Sequence, residues 1–213
     1  MTTLILIRHG HVEGISPERF RGRMDLPLTE EGRRQALATA EYLAPRWHPQ
    51  AIYTSPLQRC VQTARQIARA CASDVAEFAD LNDLHYGAWE WRTHAEVRAK
   101  WPELDDRWLL APHLVRFPEG ESLQDLIARV SNVIRMLLER HPTDVVAAVG
   151  HDSGIRAMLL QLLDQPISAY WRLAQHPAAV SEVDVLPHGA KVIRVNATHH
   201  LDEAHPFEGR QRS

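Results

Sequence analysis

The apolar positions along the first part of the chain change their spacing from one segment to the next. The run from Thr3 to Ile7 is continuously apolar, which is typical of a buried strand. After Thr29 the apolar residues fall on one helical face until Pro45, so a helix is predicted between these two residues. A second short strand is predicted at Ala51 to Tyr53.

The next helix is predicted from its start signal. Ser55 has the residue type of an N-cap, Pro56 would occupy the first helical position, and Gln58 follows three residues after the cap. This pattern is typical of a capping box. It predicts a helix that begins at Ser55 and runs to about Cys71.

The second half of the chain contains one long segment without a clear period. Leu81 to Phe117 is rich in tryptophan and is interpreted as irregular. Ser122 then caps a helix that ends at His141, followed by a central strand from Val145 to Val149 and a helix from Ile155 to Leu163. Strands that alternate with helices in this way predict a parallel sheet.

The last two apolar runs predict an antiparallel hairpin at the edge of that sheet, with strands at Val180–Val185 and Lys191–Val195. The predicted fold is therefore α/β: a three-layer αβα sandwich with a mostly parallel central sheet and an antiparallel edge hairpin. No repeat or linker divides the chain, so we expect one domain over residues 1–205 and a flexible tail at 206–213. The hairpin is a candidate contact for a homodimer.

The charge balance of the chain argues against nucleic acid and anionic lipid as binding partners. The 213 residues carry a formal net charge of −3 at pH 7. This balance gives no field that would attract nucleic acid or anionic lipid, and the N-terminal apolar run is too short to span a membrane. We expect a cytoplasmic protein that binds neither nucleic acid nor membrane, in which any anion site is local.

Polar residues with matching chemistry follow three of the predicted strands. Arg8 and His9 follow the first strand, Arg59 lies in the first turn of the helix after the second strand, and His151 follows the Val145 strand. The carboxyl ends of parallel strands meet at one edge of a sheet, so we expect these four side chains to lie close together. Arginine side chains and helix N-termini both favour a phosphate group. The sequence therefore predicts a phosphate site.

The same edge of the sheet also offers residue types that bind metals, namely His9, His11, His151 and Asp152. However, two neighbouring guanidinium groups would repel a divalent cation, and no pair of these residues has the spacing of a zinc motif. We therefore expect no metal and no cofactor.

Five segments of the chain together resemble the histidine phosphatase superfamily, also called the phosphoglycerate mutase-like family. In chain order they cover residues 6–10, 21–32, 54–64, 81–90 and 149–151, and the match extends from about residue 3 to 200. The resemblance implies that His9 is the nucleophile and that Arg8, Arg59 and His151 hold the phosphoryl oxygens. It also implies that Asp83 is the general acid, a position usually held by glutamate.

The resemblance suggests further residues around the substrate. Arg21 and Gly22 lie in a loop that contacts substrate in the family, and we add Tyr86 and Asp152 as substrate-binding candidates. Two of these assignments, and the assignment of Asp83 above, have a structural alternative. Arg21 would also suit a solvated surface position, Tyr86 would suit aromatic packing, and Asp83 would suit a turn.

Three positions depart from the family pattern. His11 replaces the usual glutamate after the Arg-His-Gly triplet, and Ile15 stands where many members have a phosphate-contacting asparagine. Loss of that amide should weaken phosphate binding unless Arg21 or Ser16 replaces it. The third departure is Asp83, whose side chain is one methylene shorter than glutamate, so the local backbone must bring it closer to the leaving group.

We expect a metal-independent phosphomonoesterase that hydrolyses a small phosphorylated metabolite through a phosphohistidine. The overall resemblance is to α-ribazole phosphatases and broad-specificity phosphatases, which suggests α-ribazole 5'-phosphate as a substrate. One alternative is a cofactor-dependent phosphoglycerate mutase, although the segment from Trp91 to Gly120 is short and nearly balanced in charge. The other is a non-catalytic phospho-ligand-binding module, which would have no need of a nucleophile.

Overall fold

The computed structural model describes residues 1–201 of the chain, and the predicted tail at 206–213 lies outside the described residues. The strands are β1 (Thr2–Arg8), β2 (Ala51–Thr54), β3 (Val75–Glu77), β4 (Val145–Gly150), β5 (Val180–Leu186) and β6 (Gly189–Ala197). They form a sheet in the order β3-β2-β4-β1-β5-β6. The first four strands of this order are parallel, whereas β5 and β6 are antiparallel. This arrangement confirms the predicted sheet and its edge hairpin.

Helices cover both faces of the sheet. They are α1 (Glu30–Leu43), α2 (Gln58–Cys71), α3 (His94–Lys100), α4 (Pro102–Leu110), α5 (Leu123–Arg140) and α6 (Asp152–Leu162). Successive side chains of β1 point to opposite faces. Leu4 and Leu6 accordingly belong to the core that contains α5 and α6, whereas Ile5 and Ile7 belong to the core that contains α1 and α2.

The predicted capping box at the start of α2 is wrong. The helix begins at Gln58, with Leu57 at the N-cap position, and Gln58 Nε2 donates to Asp25 Oδ2 at 3.0 Å. Ser55 Oγ accepts from the Leu57 amide at 3.3 Å and donates to Asn82 Oδ1 at 3.0 Å. The chain turns sharply after β2, so Ser55 lies at the sheet edge instead of in the first turn of the helix.

The prediction of an irregular segment at 81–117 is also wrong in part, because α3 and α4 lie within it. A capping box between Thr93 and Glu96 starts α3, and Pro102 occupies the first turn of α4. These helices have only seven and nine residues, too few to show a clear helical period. Strand β3 was missed for the same reason.

The strand register determines where the ends of the strands meet. Arg8 pairs with Gly150 in the parallel β1–β4 ladder, and Thr54 pairs with Val149 in the parallel β2–β4 ladder. The residues that follow these three strands therefore meet at one edge of the sheet. No helix within residues 1–201 is long and apolar enough to cross a membrane.

Candidate active site

Two histidines lie side by side where β1 and β4 end. His9 and His151 are 1% and 0% exposed, and their ring centroids are 5.2 Å apart in an edge-to-face arrangement. Arg59 reaches the same place from the first turn of α2, and Asp83 reaches it from the segment before α3. The structure therefore brings together four candidate residues that lie far apart in the sequence.

His9 is held in one tautomer. Its Nδ1 lies 2.7 Å from the carbonyl oxygen of Gly10, which can only accept a hydrogen bond, so Nδ1 carries the proton and Nε2 carries the lone pair. Burial lowers the pKa of His9 well below its ordinary value, and the positive charge of Arg59 and Arg8 and the nearby His151 lower it further. The imidazole is therefore neutral at physiological pH, which is the form that can act as a nucleophile.

His151 carries its proton on the other ring nitrogen. Arg59 Nε donates to His151 Nδ1 at 3.2 Å, so the proton is on Nε2, which donates to Ser55 Oγ at 2.9 Å. Burial lowers the pKa of His151 well below its ordinary value, and the neighbouring arginines, Arg59 first, lower it further. A neutral His151 therefore has a single N–H group, on Nε2, and in this structure Ser55 Oγ accepts it.

Arg59 is fixed from several sides. Its terminal nitrogens donate to the carbonyl oxygens of Met24 and Gly22, at 2.6 Å and 2.7 Å, and to Asp83 Oδ2 at 3.2 Å. With the bond to His151, four of the five N–H groups of a guanidinium have protein partners. The group is fully buried, so it is a rigid positive charge with one donor left for a ligand.

Arg8 and Asp152 add two opposite charges close to His9. Arg8 donates through one terminal nitrogen to the carbonyl oxygen of Gln175 at 2.6 Å, and its Nε has no partner among the described residues. Asp152 forms an ion pair with Arg156 at 3.2 Å. Burial opposes ionisation of Asp152, but the charges of Arg8, Arg156 and Arg21 outweigh it and hold the pKa of the carboxyl well below its usual range.

Asp83 has the opposite electrostatic environment. Its Oδ1 accepts from Ser153 Oγ at 2.5 Å and from the Leu84 amide at 2.9 Å. Burial raises the pKa of Asp83, the negative charge of Asp152 raises it further, and Arg59 and Ser153 offset only part of this. Neighbouring carboxyl groups whose pKa values are pushed apart are typical of sites that perform acid–base chemistry.

The remaining substrate-binding candidates border this site. Arg21 is only 8% exposed and donates to the carbonyl oxygen of Gly14 at 2.7 Å, so it is not a solvated surface charge. Gly22 has a φ of +50°, and a Cβ atom there would lie 2.3 Å from Glu90 Oε1, so a side chain would strain the backbone and displace the Glu90 carboxylate. Tyr86 packs edge-on against neighbouring aromatic rings, which agrees with the packing alternative.

Two residues that depart from the family pattern, His11 and Ile15, lie outside the group formed by His9, His151, Arg59 and Asp83. His11 Nδ1 lies 2.9 Å from Thr29 Oγ1 at the start of α1, and Ile15 packs with Val12 and Leu28. Among residues 1–201, no group of three or more His, Cys, Asp and Glu side chains could hold a metal ion.

Sequence reasoning missed two hydroxyl groups in the site, those of Ser55 and Ser153. Ser55 contacts His151, and Ser153 contacts Asp83. Both follow the end of a parallel strand closely, which is the signal that could have found them.

Residues 4–198 match the sequence model of the histidine phosphatase superfamily, branch 1. The chain belongs to this superfamily. The match covers nearly the whole chain and confirms the family and the type of enzyme that the sequence motifs predicted.

Comparison with known proteins agrees with this assignment. This histidine phosphatase is 34% identical over 203 residues to phosphoserine phosphatase 1 of Hydrogenobacter thermophilus, covering 95% of this chain and 96% of the relative. It is 32% identical over 186 residues to the probable phosphoglycerate mutase GpmB of Cronobacter sakazakii, covering 86% and 85%. Among solved structures it resembles YhfR of Bacillus stearothermophilus, with a TM-score of 0.89 and 28% identity over 94% of this chain and 100% of that chain.

Proposed function

We propose that this histidine phosphatase is a metal-independent phosphomonoesterase that hydrolyses a small phosphorylated metabolite through a phosphohistidine on His9. The observation that carries the proposal is the bond from His9 Nδ1 to the Gly10 carbonyl oxygen at 2.7 Å. This bond leaves a lone pair on Nε2 of a neutral imidazole, and that atom would attack phosphorus. Binding alone would not require a nucleophile held in one tautomer.

In the first step the phosphoryl group passes from the substrate oxygen to His9 Nε2. Arg8 and Arg59 offer N–H donors and positive charge to the phosphoryl oxygens, where charge accumulates during the transfer. His151 is neutral and would add its Nε2–H as a donor when a phosphoryl oxygen takes the place of Ser55 Oγ. Arg59 is suited to this task because four protein acceptors already fix its position. No movement of the group is then required as the reaction proceeds.

Asp83 would supply the proton for the leaving group. As the bond from phosphorus to the substrate oxygen breaks, the carboxylic acid gives its proton to that oxygen and becomes a carboxylate. In the second step the carboxylate takes a proton from the water that attacks phosphorus, the bond to His9 Nε2 breaks, and inorganic phosphate leaves. The raised pKa of Asp83 keeps a larger fraction of the carboxyl protonated before the first step.

The bordering residues have supporting roles in this proposal. Arg21 adds positive charge and Tyr86 forms an aromatic wall beside the substrate, while Gly22 lets the Arg21 loop pass close to Glu90. Asp152 is negatively charged and paired with Arg156, so a direct contact with an anionic substrate is unfavourable. We propose that it instead compensates the charge of Arg8.

The substrate is a phosphate monoester, and the similarity to phosphoserine phosphatase 1 supports phosphoserine as the first compound to test. α-Ribazole 5'-phosphate, which the sequence suggested, is the second. We would assay both, together with 3-phosphoglycerate and sugar phosphates, by release of inorganic phosphate with and without EDTA. Vanadate, which forms a five-coordinate adduct resembling the transition state, should inhibit.

The expected result is hydrolysis of at least one of these esters at a rate that EDTA does not change. Activity lost to EDTA and restored by zinc or magnesium would contradict the metal-independent mechanism. Interconversion of 2- and 3-phosphoglycerate faster than their hydrolysis would instead show a mutase. Binding of phosphate esters without turnover would show a non-catalytic module.

A further inference from the structure

We propose that Arg129, together with Glu121, is a positioning residue that clamps the backbone around Asp83 and thereby places the general acid. The inference rests on the acid role proposed above for Asp83. Arg129 lies on α5, outside the phosphate site, and its side chain is 13% exposed.

All five N–H groups of Arg129 are used in this clamp. One terminal nitrogen donates to the carbonyl oxygens of Asp80 and Asn82, at 2.7 Å and 2.6 Å. The other donates to the carbonyl oxygen of Asp83 at 2.9 Å and to Glu121 Oε2 at 3.1 Å. The fifth donor, Nε, reaches Glu121 Oε1 at 3.3 Å. A single side chain thus binds three carbonyl groups of the segment that carries Asp83.

Glu121 extends the clamp to the other side of that segment. Its Oε2 accepts from the His85 amide at 3.1 Å, and its Oε1 accepts from Arg23. The pair of Arg129 and Glu121 therefore contacts the backbone both before and after Asp83. It also joins this segment to the loop that contains Arg23.

The segment needs such support because regular structure does little to hold it. Only a short 3₁₀ turn, Ala79–Leu81, precedes Asp83 closely, and Asp83 itself lies in neither a helix nor a strand. A short side chain depends strongly on its backbone for its position. A shift of about 1 Å in a reacting group can cost about 100-fold in rate. Loss of the clamp should therefore affect the steps that use Asp83 more than phosphate binding.

The experiment is Arg129→Lys, assayed on an alkyl phosphate and on p-nitrophenyl phosphate. Lysine keeps the charge but has three donors on one nitrogen, so it cannot span the carbonyl groups and Glu121 together. We expect kcat/KM for the alkyl ester to fall about 10- to 100-fold, with a smaller loss for the aryl ester and little change in inhibition by inorganic phosphate. Arg135→Lys is the matched control, because Arg135 lies on the same helix, is 64% exposed and pairs only with Glu139 among the described residues.

A second arm repeats the substitution in an Asp83→Asn background. If Arg129 acts through Asp83, the double variant should be no slower on the alkyl ester than Asp83→Asn alone. Equal losses of kcat/KM for Arg129→Lys on both esters, or losses of kcat/KM that add in the double variant, would show a merely structural role and overturn the proposal. If Asp83→Asn lowers the rates of the alkyl and aryl esters equally, Asp83 is not the general acid. The proposed function is then wrong at this residue, and the inference about Arg129 fails for that reason.

Glu121→Gln provides an independent variant should Arg129→Lys not fold. Glutamine keeps the shape and the acceptor oxygen but removes the charge that binds Arg129, so the clamp weakens without being lost. We expect the same preference for loss on the alkyl ester, with a factor of about 3 to 10. An equal loss on both esters with Glu121→Gln would also overturn the proposal.

Discussion

The two halves of the candidate active site are built differently. The phosphate half consists of His9, His151 and Arg59, which lie at the ends of parallel strands or in the first turn of the following helix. The acid half consists of Asp83, which lies in a long connection between β3 and α5 and is held by side-chain bonds to backbone carbonyl groups. The sheet register fixes the two histidines of the first half, whereas Arg129 and Glu121 hold the backbone of the second.

This difference indicates that substitutions in one half of the site can leave the other half in place. Moving a strand end would disturb the ladder hydrogen bonds of the whole sheet, so the phosphate half is rigid by construction. The acid half can be shifted by changing one arginine, or by exchanging a shorter carboxyl side chain for a longer one. We therefore expect changes in the phosphate half to affect all phosphate esters alike and changes in the acid half to depend on the leaving group.

The largest effect is expected for His9→Ala, which removes from the phosphate half the atom that we propose attacks phosphorus. Turnover of every ester should fall by at least about 10⁴-fold, because no other group supplies the nucleophile. His11→Ala is the matched control, since His11 lies two residues away and contacts Thr29 at the start of α1. The measurement compares the steady-state rates of both variants with that of the parent protein. Full activity in His9→Ala would refute the proposal that His9 is the nucleophile.

The next effect is expected for Asp83→Asn in the acid half. Asparagine keeps the shape but cannot transfer a proton, so hydrolysis of alkyl phosphates should fall by roughly 10²- to 10⁴-fold. The kcat/KM for aryl phosphates should fall less, because p-nitrophenolate departs with little assistance from an acid. The later attack by water loses its base with either type of ester. A loss below about fivefold for both types of ester would point to another carboxylate, with Glu13 and Glu90 the next to test.

A smaller effect is expected for Ser55→Ala, a substitution beside His151 in the phosphate half. The substitution removes the acceptor of the His151 Nε2 proton, a hydrogen bond of 2.9 Å. Inhibition by inorganic phosphate should weaken about 2- to 10-fold, the range expected for one net hydrogen bond. Ser55 Oγ also donates to Asn82 Oδ1 beside Asp83, so the ratio of alkyl to aryl rates should change slightly. A change in that ratio as large as the change caused by Asp83→Asn would mean that the two halves are not separable.

The smallest effect concerns stability and pH. Burial depresses the pKa of His9 in the folded protein, so below about pH 6.5 the unfolded chain takes up a proton that the folded chain does not. Folding stability contributed by this site is therefore present at neutral pH and declines as the pH falls. Between pH 7.5 and 5, His9→Gln should therefore lose less free energy of unfolding than the parent protein. Urea unfolding at both pH values measures this, and equal losses would contradict it.

The two halves also differ in how well the sequence predicts them. Arg8, His9 and His151 directly follow or end strands with clear apolar patterns, and the geometry of a parallel sheet requires such positions to meet. The sequence therefore suffices to place them at one edge. Ser55 was misplaced, because Ser, Pro and Gln at capping spacing are compatible with a helix start and only the turn after β2 shows another arrangement.

The surroundings of Asp83 were harder to predict for a physical reason. Helices α3 and α4 are short and bury few residues, Val97 in α3 and Asp105 and Trp108 in α4, so no repeating apolar period marks them in the sequence. The bonds from Arg129 to Asp80, Asn82 and Asp83 join residues 46 to 49 positions apart through a side chain and carbonyl oxygens. Every residue has a carbonyl group, so no residue type in the sequence reveals such a contact.

The measurement that tests the central claim most directly is a rapid quench of the enzyme during turnover, followed by mapping of protein-bound phosphate. The parent protein should carry phosphate that survives alkali and is lost in acid, as expected of a phosphohistidine, and mass spectrometry should place it on His9. Asp83→Asn should accumulate more of it with an aryl ester, because the attack by water is slowed. Turnover without any acid-labile protein phosphate, or phosphate on another residue, would contradict the account.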